Sequence, residues 1–287
     1  MFRNVLVGYE GSERSEDALA LGHALAAADG AVTAVCAYWY EPLSSRVGPG
    51  GPGEMTMRAG AEETLAPLRD RSDAATETLA IPAASPARAL RELAEEEDHD
   101  LIVVGSTDRG AVGCVFAGTT ADGLLHGGPC PIAVAPRGYH RRPRRLRRIG
   151  VAYDGSEASQ VGLDTARRLA TERGAELTIL RALNHVPVPA AGDVGSATVI
   201  DDPDLRAAAQ ADLDDVVDRL RASGVAVTGE LLEGAPGLVL AQRCKDLDLL
   251  VAGSRGHGRI GRVFLGSVSH YLMSHNTAPV VVIPPKD

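Results

Sequence analysis

Leu247-Asp-Leu-Asp-Leu-Leu-Val-Ala252 runs into Gly253-Ser-Arg-Gly256-His-Gly258-Arg-Ile-Gly261-Arg-Val-Phe-Leu-Gly266-Ser267 and on into Val268-Ser-His-Tyr-Leu-Met-Ser-His275. The first run reads as a buried strand, the second as a glycine-rich loop, the third as a helix opened by Gly266-Ser267. A loop that leaves a strand and enters a helix aims free backbone N–H groups and a positive helix end at one spot, where a phosphate can sit. Glycine lets the backbone approach a ligand closely and take positive φ. The stretch therefore reads as a nucleotide phosphate cradle.

Most of this pattern occurs twice. Val5-Leu-Val-Gly-Tyr-Glu-Gly-Ser-Glu13 matches Ile149-Gly-Val-Ala-Tyr-Asp-Gly-Ser-Glu157, and Asp100-Leu-Ile-Val-Val-Gly-Ser106 matches Asp248-Leu-Leu-Val-Ala-Gly-Ser254. Gly118-Thr119 matches Gly266-Ser267, and Pro131 matches Pro279. The offset drifts from 144 early to 148 late, so only a few loop residues differ. A chain of 287 residues holds about two domains. We expect them at 1–138 and 146–287.

Within each copy, strands alternate with helices. The first copy reads as strands at 4–9, 31–40, 75–80, 101–104 and 131–135. Its helices read at 12–29, 54–72, 85–97 and 119–126. Gly30 is the expected stop of the first helix, Ser85-Pro86 an N-cap with proline at the first helical position, and Pro67 a kink or early end. The second copy reads as strands at 149–153, 177–183, 226–232, 249–252 and 280–283, with helices at 157–173, 204–223, 236–247 and 268–275. Short apolar strands alternating with helices imply an α/β fold with two tandem, doubly wound parallel sheets. Ligands on such sheets bind beyond the carboxyl ends of the strands. Prolines 129, 131, 136, 279, 284 and 285 border the fifth strands, as suits sheet edges.

Composition narrows the function classes. Hydrophobic residues make up 45% but aromatics only 3%, so the cores are built of Ala, Val and Leu. The net charge of −9 argues against a general DNA, RNA or membrane-surface binder. No apolar run is long enough to span a membrane, and no signal peptide precedes the first strand, so the expectation is cytoplasmic. Cys36, Cys114, Cys130 and Cys244 have no metal-site spacing and read as reduced core or loop thiols. The histidines are scattered, and His270 and His275 do not share a helix face, so no metal held by protein ligands is expected. Between the copies, residues 137–148 hold seven arginines and no acid. Removing them from the net −9 leaves −16 on the rest. The segment reads either as a basic patch for an anionic partner or as a linker that pairs with the acidic domains.

Three phosphate motifs were compared with the glycine loop. A Walker A loop is excluded, because no Gly-Lys-Ser/Thr follows. Gly256-His-Gly258-Arg-Ile-Gly261 fits G-x-G-x-x-G, yet it follows the fourth strand and lacks an acid ~20 residues on. The spacing Gly253, two residues, Gly256, nine residues, Gly266-Ser267 resembles the G-2x-G-9x-G-[S/T] loop of the ATP-binding universal stress proteins. The resemblance spans both copies and includes the strand end Tyr153-Asp154-Gly155-Ser156 and the terminal Ala278-Pro279-Val-Val-Val-Ile283. It implies an adenine-nucleotide alpha-hydrolase-like fold, each sheet five-stranded in the order 3-2-1-4-5, with fifth strands that pair across a two-fold axis; the two copies here could make that pair inside one chain as a pseudo-dimer, and further self-association into a homodimer is open. It also implies roles. The backbone near Ala152, Tyr153 and Ala182 would meet adenine. Asp154 would reach the ribose or a phosphate-bound Mg²⁺, although a turn or N-cap acid is the competing reading. Gly253, Gly256 and Gly258 would wrap ribose and phosphates, with Gly266, Ser267 and Val268 giving N–H groups. Arg255 and His257 could add positive charge, as could Arg259 and Arg262.

The first copy departs from the pattern. Glu10 replaces the strand-end Asp, while Gly105, Gly118 and Thr119 keep the loop's ends. Asp108 stands where the second motif glycine belongs. A carboxylate ~4 Å from a phosphate charge costs roughly 4 kcal/mol at an effective dielectric of ~20, close to a thousandfold in affinity. The second copy is therefore the expected ATP site and the first a weak or silent one. The chain reads as a nucleotide-dependent stress-response regulator with no assigned catalytic residue. The competing readings are a slow ATPase or autophosphorylating enzyme at the same site, and a ligand-free scaffold.

Overall fold

A computed structural model describes residues 1–40, 52–71, 76–106, 119–125, 127–141, 145–184, 187–189, 197–199, 203–254, 266–275 and 277–284. The first copy contributes β1 (Phe2–Gly8), α1 (Glu13–Leu25), β2 (Ala26–Trp39), α2 (Pro52–Arg69), β3 (Thr76–Ala83), α3 (Pro86–Glu96), β4 (Leu101–Gly105), α4 (Thr119–Leu125) and β5 (Ile132–Ala135). The second contributes β6 (Arg148–Ala152), α5 (Glu157–Arg173), β7 (Glu176–Leu183), a small hairpin of β8 (Pro187–Pro189) and β9 (Ala197–Val199), α6 (Pro203–Ala222), β10 (Val227–Glu233), α7 (Pro236–Arg243), β11 (Leu249–Gly253), α8 (Ser267–His275) and β12 (Val280–Ile283). No described helix is long and apolar enough to cross a membrane.

The order 3-2-1-4-5 appears in each copy, but the two sheets are not separate. One ten-stranded sheet runs β10-β7-β6-β11-β12-β5-β4-β1-β2-β3. All its neighbours are parallel except β12 and β5, which pair antiparallel with Val280 opposite Val134, Val281 opposite Ala133 and Val282 opposite Ile132. The expected pairing of fifth strands is thus made within the chain, and strands that are edges of each copy become the centre of the whole. Their prolines do not interfere, because they flank the strands. Pro131 and Pro279 use only their carbonyls, accepting from Ile102 N–H and Leu250 N–H at 2.9 Å each. β4, β5, β11 and β12 are Val-, Ile-, Leu- and Ala-rich and buried on both faces, as strands covered by helices above and below must be. One apolar layer carries α1, α2, α5 and α6, the other α3, α4, α7 and α8, and each runs through both copies.

Helix limits follow local chemistry. Ser12, Ser85 and Ser156 cap α1, α3 and α5, each accepting an N–H three residues on. Gly174 ends α5 in the left-handed region at φ 60°. The expected first-copy counterpart was wrong. α1 stops at Leu25 and β2 begins at Ala26, so Gly30 is no cap. A Cβ on Gly30 would lie 3.0 Å from the carbonyl oxygens of Phe2 and Arg3, so glycine there admits β1 rather than turning a helix. Pro67 lies inside α2, which continues to Arg69. The helix expected at 236–247 ends at Arg243 and tightens into a 3₁₀ turn over Cys244–Asp246.

The described part of the arginine-rich segment is tied to both copies. The Asp17 carboxylate accepts Gly138 N–H and His140 N–H at 2.8 Å each and meets His140 Nδ1 at 2.6 Å. Arg141 pairs with Glu13. At the other end Asp248 accepts Arg147 N–H and Arg148 N–H at 3.1 and 3.0 Å. Tyr139 and Leu146 are buried. These contacts match the linker reading of the segment.

Candidate functional site

Each copy opens a cavity where its first, second and fourth strands end. Tyr9 N–H donates to Val35 O at 2.8 Å, and Tyr153 N–H to Leu180 O at 2.9 Å, so the strand ends superpose in register. The following turns need glycine, with Gly11 at φ 78° and Gly155 at φ 81°. Asp154 Oδ1 accepts Ser156 N–H at 3.0 Å, so its carboxylate does serve as a turn acid. A carboxylate has about four acceptor positions, and this bond takes one of them.

The second cavity, of about 130 Å³, is lined by Ala152, Tyr153, Asp154, Ala182, Gly253, Gly266 and Val268 among the expected residues. Ser267 opens α8 beside it and is exposed. Arg255, Gly256, His257 and Gly258 lie outside the described residues, as do Arg259 and Arg262. In the first copy, Glu10 and Gly105 line a corresponding cavity of about 300 Å³. Thr119 starts α4, and Gly118 and Asp108 fall outside the described residues. Glu10 Oε1 accepts from Ser12 Oγ at 2.9 Å and pairs with Arg14 at 3.3 Å.

Two features escape a reading of the sequence alone. Leu180, Pro236 and Leu240 close the apolar side of the second cavity, and only the fold brings α7 there. Ser254 is fully buried on the cavity wall, and among the described residues its Oγ has no hydrogen-bond partner. A buried hydroxyl left unpaired costs about 1–3 kcal/mol, which a ligand acceptor or donor would recover. Gly253 also has a packing reason. A Cβ there would lie 2.3 Å from Ala158 O, and one on Gly105 would lie 2.3 Å from Arg14 O. The fourth strand of each copy touches the first turn of its first helix there.

The copies differ behind the cavity as well. Tyr9 OH donates to Glu16 at 2.6 Å, and Arg71 grips the same carboxylate with two bonds of 2.8 Å. The Arg71 guanidinium holds Glu16 below the usual carboxylate range, while burial and then the Glu16 contact push the Tyr9 hydroxyl up. In the second copy Tyr153 OH meets neutral Gln160 at 3.5 Å. A lowered carboxylate stabilises the fold above its unfolded pKa and loses that contribution as pH falls through its folded value. Glu16→Gln should therefore flatten the acid limb of stability against pH, read by thermal unfolding from about pH 7 to about pH 3. An unchanged acid limb would remove the cluster from the account.

The described residues contain no group of three or more His, Cys, Asp or Glu able to hold a metal. Cys36, Cys130 and Cys244 are buried. Burial raises Cys130 to about 12 and also pushes Cys36 up, which suits inert core thiols.

Comparison with known proteins adds the lineage. The profile of the Universal stress protein family matches residues 1–136 and again 145–284. A universal stress protein of Mycobacterium tuberculosis, Rv2319c, is 30% identical over 207 residues, 68% of each chain. Another from that organism, Rv2623, is 29% identical over 204 residues, covering 69% of this chain and 66% of its own. The crystal structure of a universal stress protein from Archaeoglobus fulgidus superposes with a TM-score of 0.74, covering 98% of both chains at 20% identity.

Proposed function

This chain belongs to the universal stress protein family, and we propose that it is an adenine-nucleotide-binding regulator that takes ATP mainly in its second copy. The observation that carries the reading is the second cavity, where apolar walls, the Asp154 carboxylate, the unpaired Ser254 hydroxyl and the start of α8 converge. In this reading adenine lies against Ala152, Ala182 and Leu240, and Asp154 accepts from the ribose hydroxyls. The phosphates extend toward the N–H groups of Ser267 and Val268, where the helix dipole favours negative charge. A Mg²⁺ arriving with the nucleotide would neutralise part of the phosphate charge. In this reading the ligand acts by holding the strand-end turns in one arrangement that a partner reads.

Mass spectrometry of small molecules released from the purified protein should find adenine nucleotide. Calorimetry should give one ATP per chain, weakened at least tenfold by Asp154→Ala, since a hydrogen bond to a charged group is worth about 1.5–3 kcal/mol. Two equal sites would refute the asymmetry between copies, and no binding would refute the reading itself.

A further inference from the structure

At the opposite end of the second copy's strands from its cavity, a wide cleft of about 1390 Å³ opens where β6 and β7 begin and just before β11. Ala24, at the end of α1, closes its first-copy side. Arg145, Arg147, Arg148 and Arg173 face Glu176 and Asp248 there, so the walls carry a surplus of two positive charges. Asp248 is already engaged, by the N–H groups of Arg147 and Arg148 and by the Arg148 guanidinium at 3.7 Å. Arg173 turns one nitrogen to Ala24 O and Ala26 O at 2.7 and 3.0 Å, neutral acceptors that leave its charge uncancelled. Glu172, its neighbour in the chain, is taken by the N-terminal ammonium. Arg145 and Arg147 flank buried Leu146 and are themselves exposed, the alternation of an extended run. Their side chains therefore leave the same side, about 7 Å apart, and neither pairs with an acid among the described residues. The linker contacts thus hold the main chain of this segment and leave two guanidinium groups unspent.

We propose that this cleft is a binding site for a linear oligophosphate, a chain of three or more phosphate groups with no base attached. Guanidinium is the side chain that grips phosphate oxygens in pairs, and here it comes from two walls, Arg145 and Arg147 on the joint and Arg173 on α5. Stems about 7 Å apart, facing a third cation across the cleft, suit a run of phosphates better than a single one. The described walls carry no aromatic ring, so nothing there stacks a nucleobase, and Leu146 and Ala24 are their largest apolar parts. Two effects oppose an anion. The carboxyl ends of α1 and α5 border the cleft, each worth about half a negative charge. Arg173 covers the first, and Gly174 N–H, bonded back to Ala170 O and Thr171 O, covers part of the second. The chain as a whole carries −9, but at physiological salt charges beyond about 8 Å are largely screened, so the local surplus decides. The site is remote from the nucleotide cavity and does not depend on it. A ligand held there would also bridge the copies, because Arg173 already reaches the end of α1 from α5.

The test is a calorimetric titration of the full chain with tripolyphosphate in low-salt, magnesium-free buffer, beside orthophosphate and a short polyglutamate peptide. Wild type should bind tripolyphosphate, and more tightly than either comparison anion. Changing Arg145→Gln and Arg147→Gln together should weaken it at least tenfold, since each removes a charge-assisted bond, and should leave the ATP titration unaltered. Both side chains are exposed and glutamine keeps their stems, so the double variant should unfold at the wild-type temperature. No tripolyphosphate heat, or heat indifferent to the double variant, would overturn the proposal; the second result would place the anion elsewhere, the glycine loop included. Orthophosphate bound as tightly would remove the chain from the ligand class, and tighter polyglutamate would make the cleft a dock for an acidic protein segment instead. Tripolyphosphate binding that needs Arg145 and Arg147 in a protein that never binds ATP would sink the nucleotide reading and leave this one standing.

Discussion

Gly253→Ala is expected to lower the unfolding free energy by about 3 kcal/mol, the upper end for overpacking a well-packed site. It should also remove most ATP affinity. The added Cβ would lie 2.3 Å from Ala158 O, 2.5 Å from Ala158 C and 2.9 Å from Ser159 N. All three are main-chain atoms, so no rotamer change relieves them. The first turn of α5 has to move, and it carries the Ser156 cap and the Asp154 turn with it. Two other glycines calibrate the claim. A Cβ on Gly150 would also come within 2.3 Å of a neighbour, but that neighbour is Leu247 Cδ1, the end of a side chain that can rotate. Gly150→Ala should therefore cost less. Gly155 has open space around it and φ 81°, so Gly155→Ala should cost only about 1 kcal/mol of left-handed strain. Gly105→Ala should destabilise as Gly253→Ala does, through Arg14 O, and leave ATP binding alone. Urea unfolding ranks the four. A Gly253→Ala protein as stable as wild type would show that the strand–helix contact is not tight.

Those glycines also mark how far the sequence could be read. Gly253 and Gly105 announced a loop that approaches something closely, and the sequence suggested a ligand. The structure shows that a helix backbone is already there. The strand runs were legible because residues such as Leu249–Gly253 and Val280–Ile283 are apolar at every position, which marks strands buried on both faces. The cap at Ser85 was legible from chemistry within a few residues. The early end of α1 was not, since Ala26, Ala27 and Ala28 favour a helix and only pairing of Phe2 with Ala26 pulls them into a strand. The antiparallel join of β5 and β12 was legible only as an option. It pairs residues nearly 150 apart, and nothing local to Ile132–Ala135 specifies a partner. At the site, the strand ends came from the repeat. Leu180 and Pro236 gained meaning only when the fold put three elements around one cavity.

Asp17→Ala is expected to cost about 4 kcal/mol, within the range for breaking a buried charged contact. Asp17 has 1% of its side chain exposed and sits on α1 beneath the turn that follows β5. Its two oxygens take Gly138 N–H, His140 N–H and the His140 ring. Alanine would leave two backbone donors without an acceptor in a partly buried place, at about 1–3 kcal/mol each. It would also release Tyr139, which is buried beside them. Asp17→Asn should recover little, because its amide nitrogen would face donors on at least one side. The loss concerns the joint as much as α1. The same turn leads from the central strand pair into the segment that Asp248 receives on the other side, so it fixes how the second copy leaves the first. The second copy has Val161 at the equivalent position of α5, so α1 alone carries this carboxylate. Denaturant unfolding should show a lower midpoint with an unchanged slope, and ATP titration of the folded protein should be unaltered. A cost under about 1 kcal/mol would mean that solvent satisfies Gly138 and His140 as well as Asp17 does, and that the linker is held by its apolar residues instead.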